Sequence, residues 1–149
     1  SSAASDVYKR QALRPIGSML RFRVGEGVEA IPSSTPIRTA LRTAREASEG
    51  RRSGALLLTD DHGVLEGIMT DGDLRRLLLD NPAAIDGPAA ESMTKNPRTL
   101  QEDQPLREAE RLVRTHRVDE IPIVDAEGRP VGLLDVQDLI TLKVVRDPS

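Results

Sequence analysis

The chain has no cysteine and no tryptophan, and Tyr8 and Phe22 are its only aromatic residues. Without cysteine there are no disulfides and no thiolate chemistry, and a zinc ion would have to rely on histidine and carboxylate ligands. The two histidines, His62 and His116, are far apart in the sequence and form no metal-ligand pattern. With so few aromatic residues, the stacking platforms that bind single-stranded nucleic acid are essentially absent.

The sequence also lacks a block of basic residues and a long hydrophobic run. Its net charge is -3, and lysine and arginine are mixed with aspartate and glutamate along the chain, whereas nucleic-acid-binding domains concentrate basic residues on one face. No apolar run approaches the roughly 20 residues of a membrane-spanning helix. No basic start followed by an apolar stretch indicates a signal peptide. We therefore expect a cytoplasmic protein that binds neither nucleic acid nor a membrane.

Residues 1–13 have no apolar periodicity and no turn signals. The segment from Ser1 to Gln11 resembles translated adapter sequence, in which case the true N-terminus lies further upstream. The alternative is a natural disordered tail. We predict that residues 1–13 are a non-native or disordered tail and leave them out of the fold prediction.

An internal repeat organises the rest of the chain. Thr35-Pro-Ile-Arg-Thr-Ala-Leu41 is echoed by Gln104-Pro-Leu-Arg-Glu-Ala-Glu110, and Gly67-Ile-Met-Thr-Asp-Gly-Asp-Leu74 is echoed by Gly132-Leu-Leu-Asp-Val-Gln-Asp-Leu139. The first repeat has a few extra residues in a loop near Arg52, where a structural repeat tolerates insertions. We assign residues 14–80 to repeat one, residues 81–88 to a linker rich in proline and glycine, and residues 89–147 to repeat two.

Each repeat has the same predicted order of elements. An extended segment precedes an amphipathic helix, which starts near Pro36 or Pro105, because proline in the first turn of a helix costs no hydrogen bond. An apolar strand, a turn containing Gly63 or Gly128, and a second strand then form a hairpin, and a second helix follows. The extended segment must pair parallel to a hairpin strand because a helix intervenes. The prediction is a mixed α/β (α+β) fold of two β-α-β-β-α repeats, packed as a pseudo-twofold pair, with a short helical lead-in over residues 91–97.

Several motifs carry a resemblance to a known family. They are Ser92-Met-Thr-Lys-Asn-Pro97, Glu120-Ile-Pro-Ile-Val-Asp125, Gly128-Arg-Pro-Val-Gly132 and the two Asp-Leu ends of the repeated glycine segments. Together, over roughly residues 18 to 145, they resemble a tandem cystathionine-β-synthase (CBS) domain pair. This resemblance implies a regulatory module that senses a small molecule, typically an adenine nucleotide, and that forms a homodimer. It implies no required cofactor.

A narrower resemblance concerns the enzyme to which such a module belongs. Two segments of repeat one are similar to the C-terminal CBS pair of bacterial arabinose-5-phosphate isomerases. They are Gly50-Arg-Arg-Ser-Gly-Ala-Leu-Leu-Leu-Thr-Asp60 and Gly67-Ile-Met-Thr-Asp-Gly-Asp-Leu-Arg-Arg76. In that family a separate sugar-isomerase (SIS) domain interconverts ribulose 5-phosphate and arabinose 5-phosphate. We expect this chain to be a non-catalytic regulatory tail. The alternatives are a function inherited from the parent isomerase and a purely structural, oligomerising role.

The main candidate site is the corner formed by Thr70 and Asp73. The resemblance implies that this Ser/Thr-x-x-Asp corner binds a ribose, since the Asp73 carboxylate can accept hydrogen bonds from vicinal hydroxyls and Thr70 can donate one. The adjacent helix N-terminus favours an anion. The same two residues also fit a capping box that needs no ligand, and the two roles are compatible.

The second copy of this corner departs from the pattern. Asp135 stands where serine or threonine is expected, and its carboxylate would repel a phosphate at short range. Asp138 is still a candidate for a ribose. We therefore predict an asymmetric module with one working site.

The remaining candidates would surround the base and the phosphate. The base is expected in the cleft between the repeats, against apolar side chains that are more ordinarily core residues: Ile31, Pro32, Met69, Ile121 and Pro122. Arg117 and Arg76 are candidates for contact with a phosphate, although an exposed arginine is usually only surface charge. We predict no catalytic residues and no metal ligands.

Overall fold

The computed structural model describes residues 9–47 and 50–141. The first eight residues of the predicted tail and the last residues of predicted repeat two, 142–147, lie outside this part of the chain. Residues 9–13 are helical (α1), and Ala12 within them is buried. A short 3-10 helix, Ile16–Ser18, and two short strands, β1 (Phe22–Val24) and β2 (Gly27–Val28), lead into repeat one.

Repeat one contains β3 (Ala30–Pro32), α2 (Ile37–Ala47), β4 (Ala55–Thr59), β5 (Leu65–Thr70) and α3 (Asp71–Asp80). Two 3-10 helices (Pro82–Asp86 and Ala89–Glu91) and β6 (Thr94–Lys95) connect it to repeat two. Repeat two contains β7 (Leu100–Gln101), α4 (Leu106–His116), β8 (Glu120–Val124), β9 (Pro130–Asp135) and α5 (Val136–Thr141). The predicted order β-α-β-β-α is confirmed in both repeats.

The parallel pairing predicted for the extended segments is also confirmed. β3 pairs parallel to β4, with Ala30 opposite Leu57, and β7 pairs parallel to β8, with Leu100 opposite Ile123. β4 and β5 form one antiparallel hairpin, and β8 and β9 form the other. Gly63 and Gly128 have φ angles of 80° and 82° in the hairpin turns, a conformation that glycine adopts without a steric penalty.

The lead-in segments exchange between the two sheets. β6, near the start of repeat two, pairs with β5 of repeat one and gives the order β3-β4-β5-β6. β1, near the start of repeat one, pairs with β9 of repeat two and gives the order β2-β1-β9-β8-β7. The helix predicted over residues 91–97 is therefore wrong for most of its length. The repeated glycines permit the exchange: a Cβ atom on Gly67 would lie 2.9 Å from the Thr94 carbonyl oxygen, and one on Gly132 would lie 2.6 Å from that of Phe22.

Neighbouring strand residues point to opposite faces of a sheet, and this alternation divides the core. Leu56 and Leu58 of β4 pack into the core of repeat one, whereas Ala55 and Leu57 join a central cluster with Leu133 of repeat two. Each repeat thus has its own core, and a third cluster lies between the sheets. Within the described residues, no helix is both long and apolar enough to cross a membrane.

Candidate functional site

Thr70 and Asp73 form a complete capping box at the start of α3. The Thr70 hydroxyl oxygen accepts a hydrogen bond from the backbone N–H of Asp73 at 3.1 Å, and Asp73 Oδ2 accepts one from the backbone N–H of Thr70 at 3.0 Å. The other carboxylate oxygen, Oδ1, accepts a hydrogen bond from Arg76 Nη2 at 2.5 Å. Arg76 is largely exposed, so a ligand hydroxyl can displace it or share the carboxylate with it at low cost.

A cavity of about 630 Å³ opens beside this corner. Its volume falls within the range of roughly 300–1,000 Å³ that is usual for small-molecule sites. Three segments form its wall: the β5–α3 corner of repeat one, the lead-in of repeat two, and the start of β8. The lining residues are Gly54, Ile68, Thr70, Asp71, Gly72, Asp73, Arg76, Thr94, Asn96, Pro97, Arg98, Val118, Asp119 and Glu120. A molecule bound here would touch both repeats.

The lead-in reaches the cavity because the chain turns at Asn96. Asn96 has a φ of 49°, in the left-handed region that asparagine tolerates better than most residues. Its backbone N–H donates to the Glu66 carbonyl oxygen at 3.1 Å. This turn brings Pro97 and Arg98 along the cavity wall.

The residues predicted from the sequence divide into two groups. Thr70, Asp73 and Arg76 line the cavity. The other predicted ligand-binding residues are not among the described residues that line the cavity. Ile31 and Met69 fill the core of repeat one, Ile121 fills that of repeat two, Pro122 is buried in β8, and Pro32 is exposed at the end of β3. Arg117 is an exposed C-cap residue of α4 with a φ of 50°, one residue before Val118 of the wall.

Glu120 is the polar residue of this cavity that the sequence reading missed. One of its carboxylate oxygens, Oε2, is buried and has no hydrogen-bond partner among the described residues. Burial, together with the negative charges of Asp135, Asp71, Asp119 and Asp73, raises the pKa of Glu120 to about 7. A buried oxygen without a hydrogen-bond partner costs folding free energy. A proton on this carboxyl group, or a hydrogen bond donated by a ligand, would remove that cost.

The second corner, at the β9–α5 junction, is built differently. The Asp138 carboxylate is buried and lies 3.2 Å from Arg21 Nε through its Oδ1 atom. Asp138 Oδ2 accepts a longer hydrogen bond, 3.4 Å, from the backbone N–H of Asp135. The Arg21 guanidinium also lies 4.5 Å from the centre of the Phe22 ring. Burial raises the pKa of Asp138, and Arg21 opposes that rise.

The sheet register shows which residue takes the place of Arg21 at the first corner. Lys95 lies opposite Gly67, and Arg23 lies opposite the equivalent Gly132. Two residues earlier in each lead-in are Met93 and Arg21. Met93 is buried in the core of repeat one, whereas Arg21 pairs with Asp138. At the second corner, an arginine of the chain itself thus contacts the aspartate that corresponds to Asp73.

Residues 25–80 and residues 89–144 each match the CBS domain family. The chain is a tandem pair of CBS domains. The resemblance stated from the sequence motifs is therefore confirmed, and the mixed α/β repeat architecture described above is the architecture of this pair.

Curated relatives of the CBS pair include arabinose 5-phosphate isomerase KpsF of Escherichia coli, which is 29% identical over 123 residues. The match covers 83% of this chain and 38% of the relative, so the chain spans less than two-fifths of that enzyme.

Solved structures with the same fold include the CBS domain pair of protein MJ0100 in complex with 5'-methylthioadenosine and S-adenosyl-L-methionine. Its TM-score is 0.69 at 24% identity, and the match covers 88% of this chain and 96% of that chain. The CBS domain protein PAE2072 from Pyrobaculum aerophilum, complexed with AMP, has a TM-score of 0.68 at 23% identity, with coverages of 88% and 98%.

Proposed function

We propose that this CBS pair is a regulatory module that binds one adenosyl or other nucleotide ligand in the cavity beside Thr70 and Asp73. The cavity itself carries the proposal, because it joins the capped corner of repeat one to the lead-in and β8 of repeat two. The ribose would contact Asp73, and the base would lie against Ile68, Pro97 and Val118. The adenosyl ligands in the two similar structures support this class of ligand.

Regulation follows from the position of the cavity between two repeats. A ligand that contacts both repeats favours the arrangement of the repeats in which both sets of contacts form. It changes the balance between this arrangement and any other only to the extent that it binds the two with different affinity. A domain attached to the CBS pair would respond to that shift.

Calorimetric titration of the chain with AMP, ATP, S-adenosylmethionine and CMP-sugars tests the proposal. We expect at least one adenosyl ligand to bind with a stoichiometry of one per chain, because Arg21 already contacts Asp138 at the second corner. The absence of binding heat with all four ligands, while circular dichroism shows an intact fold, would reject nucleotide sensing by this chain.

The parent protein is a separate proposal. We propose that the module is the C-terminal tail of a sugar-phosphate isomerase, because the match to the isomerase KpsF covers most of this chain and only 38% of that enzyme. The coding sequence upstream of Arg14 tests it. An SIS domain there supports an arabinose-5-phosphate isomerase, and an unrelated domain contradicts it.

A second role, dimerisation, is favoured by the surface of α3. None of the residues of α3 is buried, and Leu78 and Leu79 are 37% and 79% exposed, whereas the equivalent helix α5 buries Asp138 and Leu139. We propose that a second copy of the chain covers α3.

Light scattering should give a dimer that Leu79→Glu dissociates, while Leu13→Glu on α1 leaves it intact. A dimer that binds none of the ligands above would indicate a purely structural module.

A further inference from the structure

Glu120 lies at the point where the cavity meets both repeats. It is the first residue of β8, it lines the cavity, and its Oε2 atom is buried without a partner among the described residues. Its backbone lies opposite Asp135 in the β8–β9 ladder. Among the described polar atoms of the cavity lining, Glu120 Oε2 is the one that is buried without a hydrogen-bond partner.

The charges around Glu120 are predominantly negative. Asp71 and Asp73 face it from the start of α3, Asp119 precedes it, and Asp135 ends β9. Two positively charged side chains, Arg76 and Arg98, line the same cavity. Arg76 is already paired with Asp73.

This balance determines which ligand group fits beside Glu120. A phosphate there would be repelled by the carboxylates, whereas an N–H donor or a positive charge would satisfy the buried oxygen.

We propose that Glu120 makes this cavity select an adenosyl ligand that presents a positive charge or an N–H donor to it, in preference to one that presents a phosphate. This inference rests on the proposed function and names the charge class of its ligand. Glu120 is a specificity-determining residue in this scheme, and Asp73 anchors the ribose.

Proton uptake and release follow from this role. At pH 7 about half of the Glu120 carboxyl groups carry a proton, since the pKa is about 7. Binding of a cation favours the ionised form, so the proton leaves Glu120 for the buffer. The affinity for a cationic ligand should rise about three- to tenfold between pH 6 and pH 8, the effect of one added charge a few ångströms away under strong solvent screening.

The experiment compares S-adenosylmethionine with S-adenosylhomocysteine, which keeps the same tail but lacks the sulfonium charge, and with AMP. Binding to the full chain is measured by calorimetry at pH 6 and pH 8, in two buffers of different ionisation enthalpy. We expect S-adenosylmethionine to bind most tightly at pH 8 and to release protons near pH 7. Glu120→Gln should abolish both the pH dependence and the proton release.

Glu127→Gln is the matched control, because it removes the same charge from an exposed hairpin turn and should change neither property. If AMP binds more tightly than S-adenosylmethionine at pH 8, or if Glu120→Gln keeps the wild-type pH dependence, the inference is wrong while the proposed function stands. If no adenosyl ligand binds the folded chain, the proposed function fails and the inference fails with it. The wild-type pH series decides the question even if the variant does not fold.

Discussion

The two β–α corners of the CBS pair occupy equivalent positions in the two repeats but have different surroundings. At the first corner, Asp73 completes a capping box and faces a cavity. At the second corner, Asp138 is buried and contacts Arg21. The difference arises in the lead-in segments that exchange between the sheets, because Arg21 reaches Asp138 at the second corner whereas its counterpart Met93 is buried in the core of repeat one. Whether the aspartate of a corner faces a cavity or an arginine therefore depends on the other repeat as much as on its own motif.

Asp73→Ala should have the largest effect on this comparison. The substitution removes the carboxylate proposed to hold the ribose, and we expect the ligand affinity to fall at least about tenfold, or roughly 1.4 kcal/mol. The lost cap should lower the free energy of unfolding by about 1 kcal/mol. Calorimetry and urea denaturation measure the two effects. Asp138→Ala is the matched control, and an equal loss of affinity there would show that the corners do not differ as proposed.

The second corner can be rebuilt to resemble the first. Arg21→Met with Asp135→Thr supplies the residue types found at Met93 and Thr70. We expect the calorimetric stoichiometry to rise from one to two ligands per chain, because Asp138 loses its partner and becomes available to a ribose. Stability should fall by more than the roughly 0.5–1 kcal/mol of a surface ion pair, because the buried Asp138 carboxylate loses its partner. A stoichiometry that stays at one in a folded double variant would mean that Arg21 is not what closes this corner.

Glu120→Gln should stabilise the unliganded protein at high pH. The pKa of Glu120 is about 7 in the folded chain, against an ordinary value of 4.5. The unfolded chain therefore loses this proton first, and the free energy of unfolding contributed by Glu120 declines as the pH rises from 4.5 to 7 and is constant above that. Glutamine cannot ionise, so the variant should be more stable by about 1–2 kcal/mol at pH 8, allowing for solvent screening of a half-buried group.

Urea denaturation at pH 8 and pH 4 measures this effect. The gain should disappear at pH 4, where Glu120 is protonated in both the folded and the unfolded state. Glu127→Gln, at an exposed turn, should be neutral at both pH values. A variant that is less stable than the wild type at pH 8 would mean that the ionised Glu120 has a favourable partner.

The sequence predicts the elements of this fold better than it predicts the site. The helices, the hairpins and the parallel strands follow from local patterns, and the capping box of Thr70 and Asp73 follows from their spacing. The exchanged strands β1 and β6 are two or three residues long, too short for a periodic pattern to show.

The site residues that were missed depend on contacts distant in sequence. Glu120 begins an apolar strand, and two of the carboxylates that shift its pKa, Asp71 and Asp73, come from the other repeat. Because Met69 is apolar, the sequence predicts that it contacts the base, whereas the strand directs Met69 into the core and its neighbour Ile68 to the cavity. The run of apolar residues predicts the strand, but it does not predict on which face of the sheet each side chain lies.

The smallest expected difference between the corners concerns the caps themselves. Thr70→Ala should lower the free energy of unfolding by about 1 kcal/mol, the usual value of an N-cap, because the box has hydrogen bonds of 3.0 and 3.1 Å. Asp135→Ala should cost only about half as much. Asp135 accepts a hydrogen bond from the Gln137 N–H, but the reciprocal bond from its own N–H to Asp138 is 3.4 Å long, near the limit of useful geometry. Urea denaturation at pH 7 compares the two variants, and equal losses would mean that the second cap is as strong as the first and that the corners differ only in what faces their carboxylates.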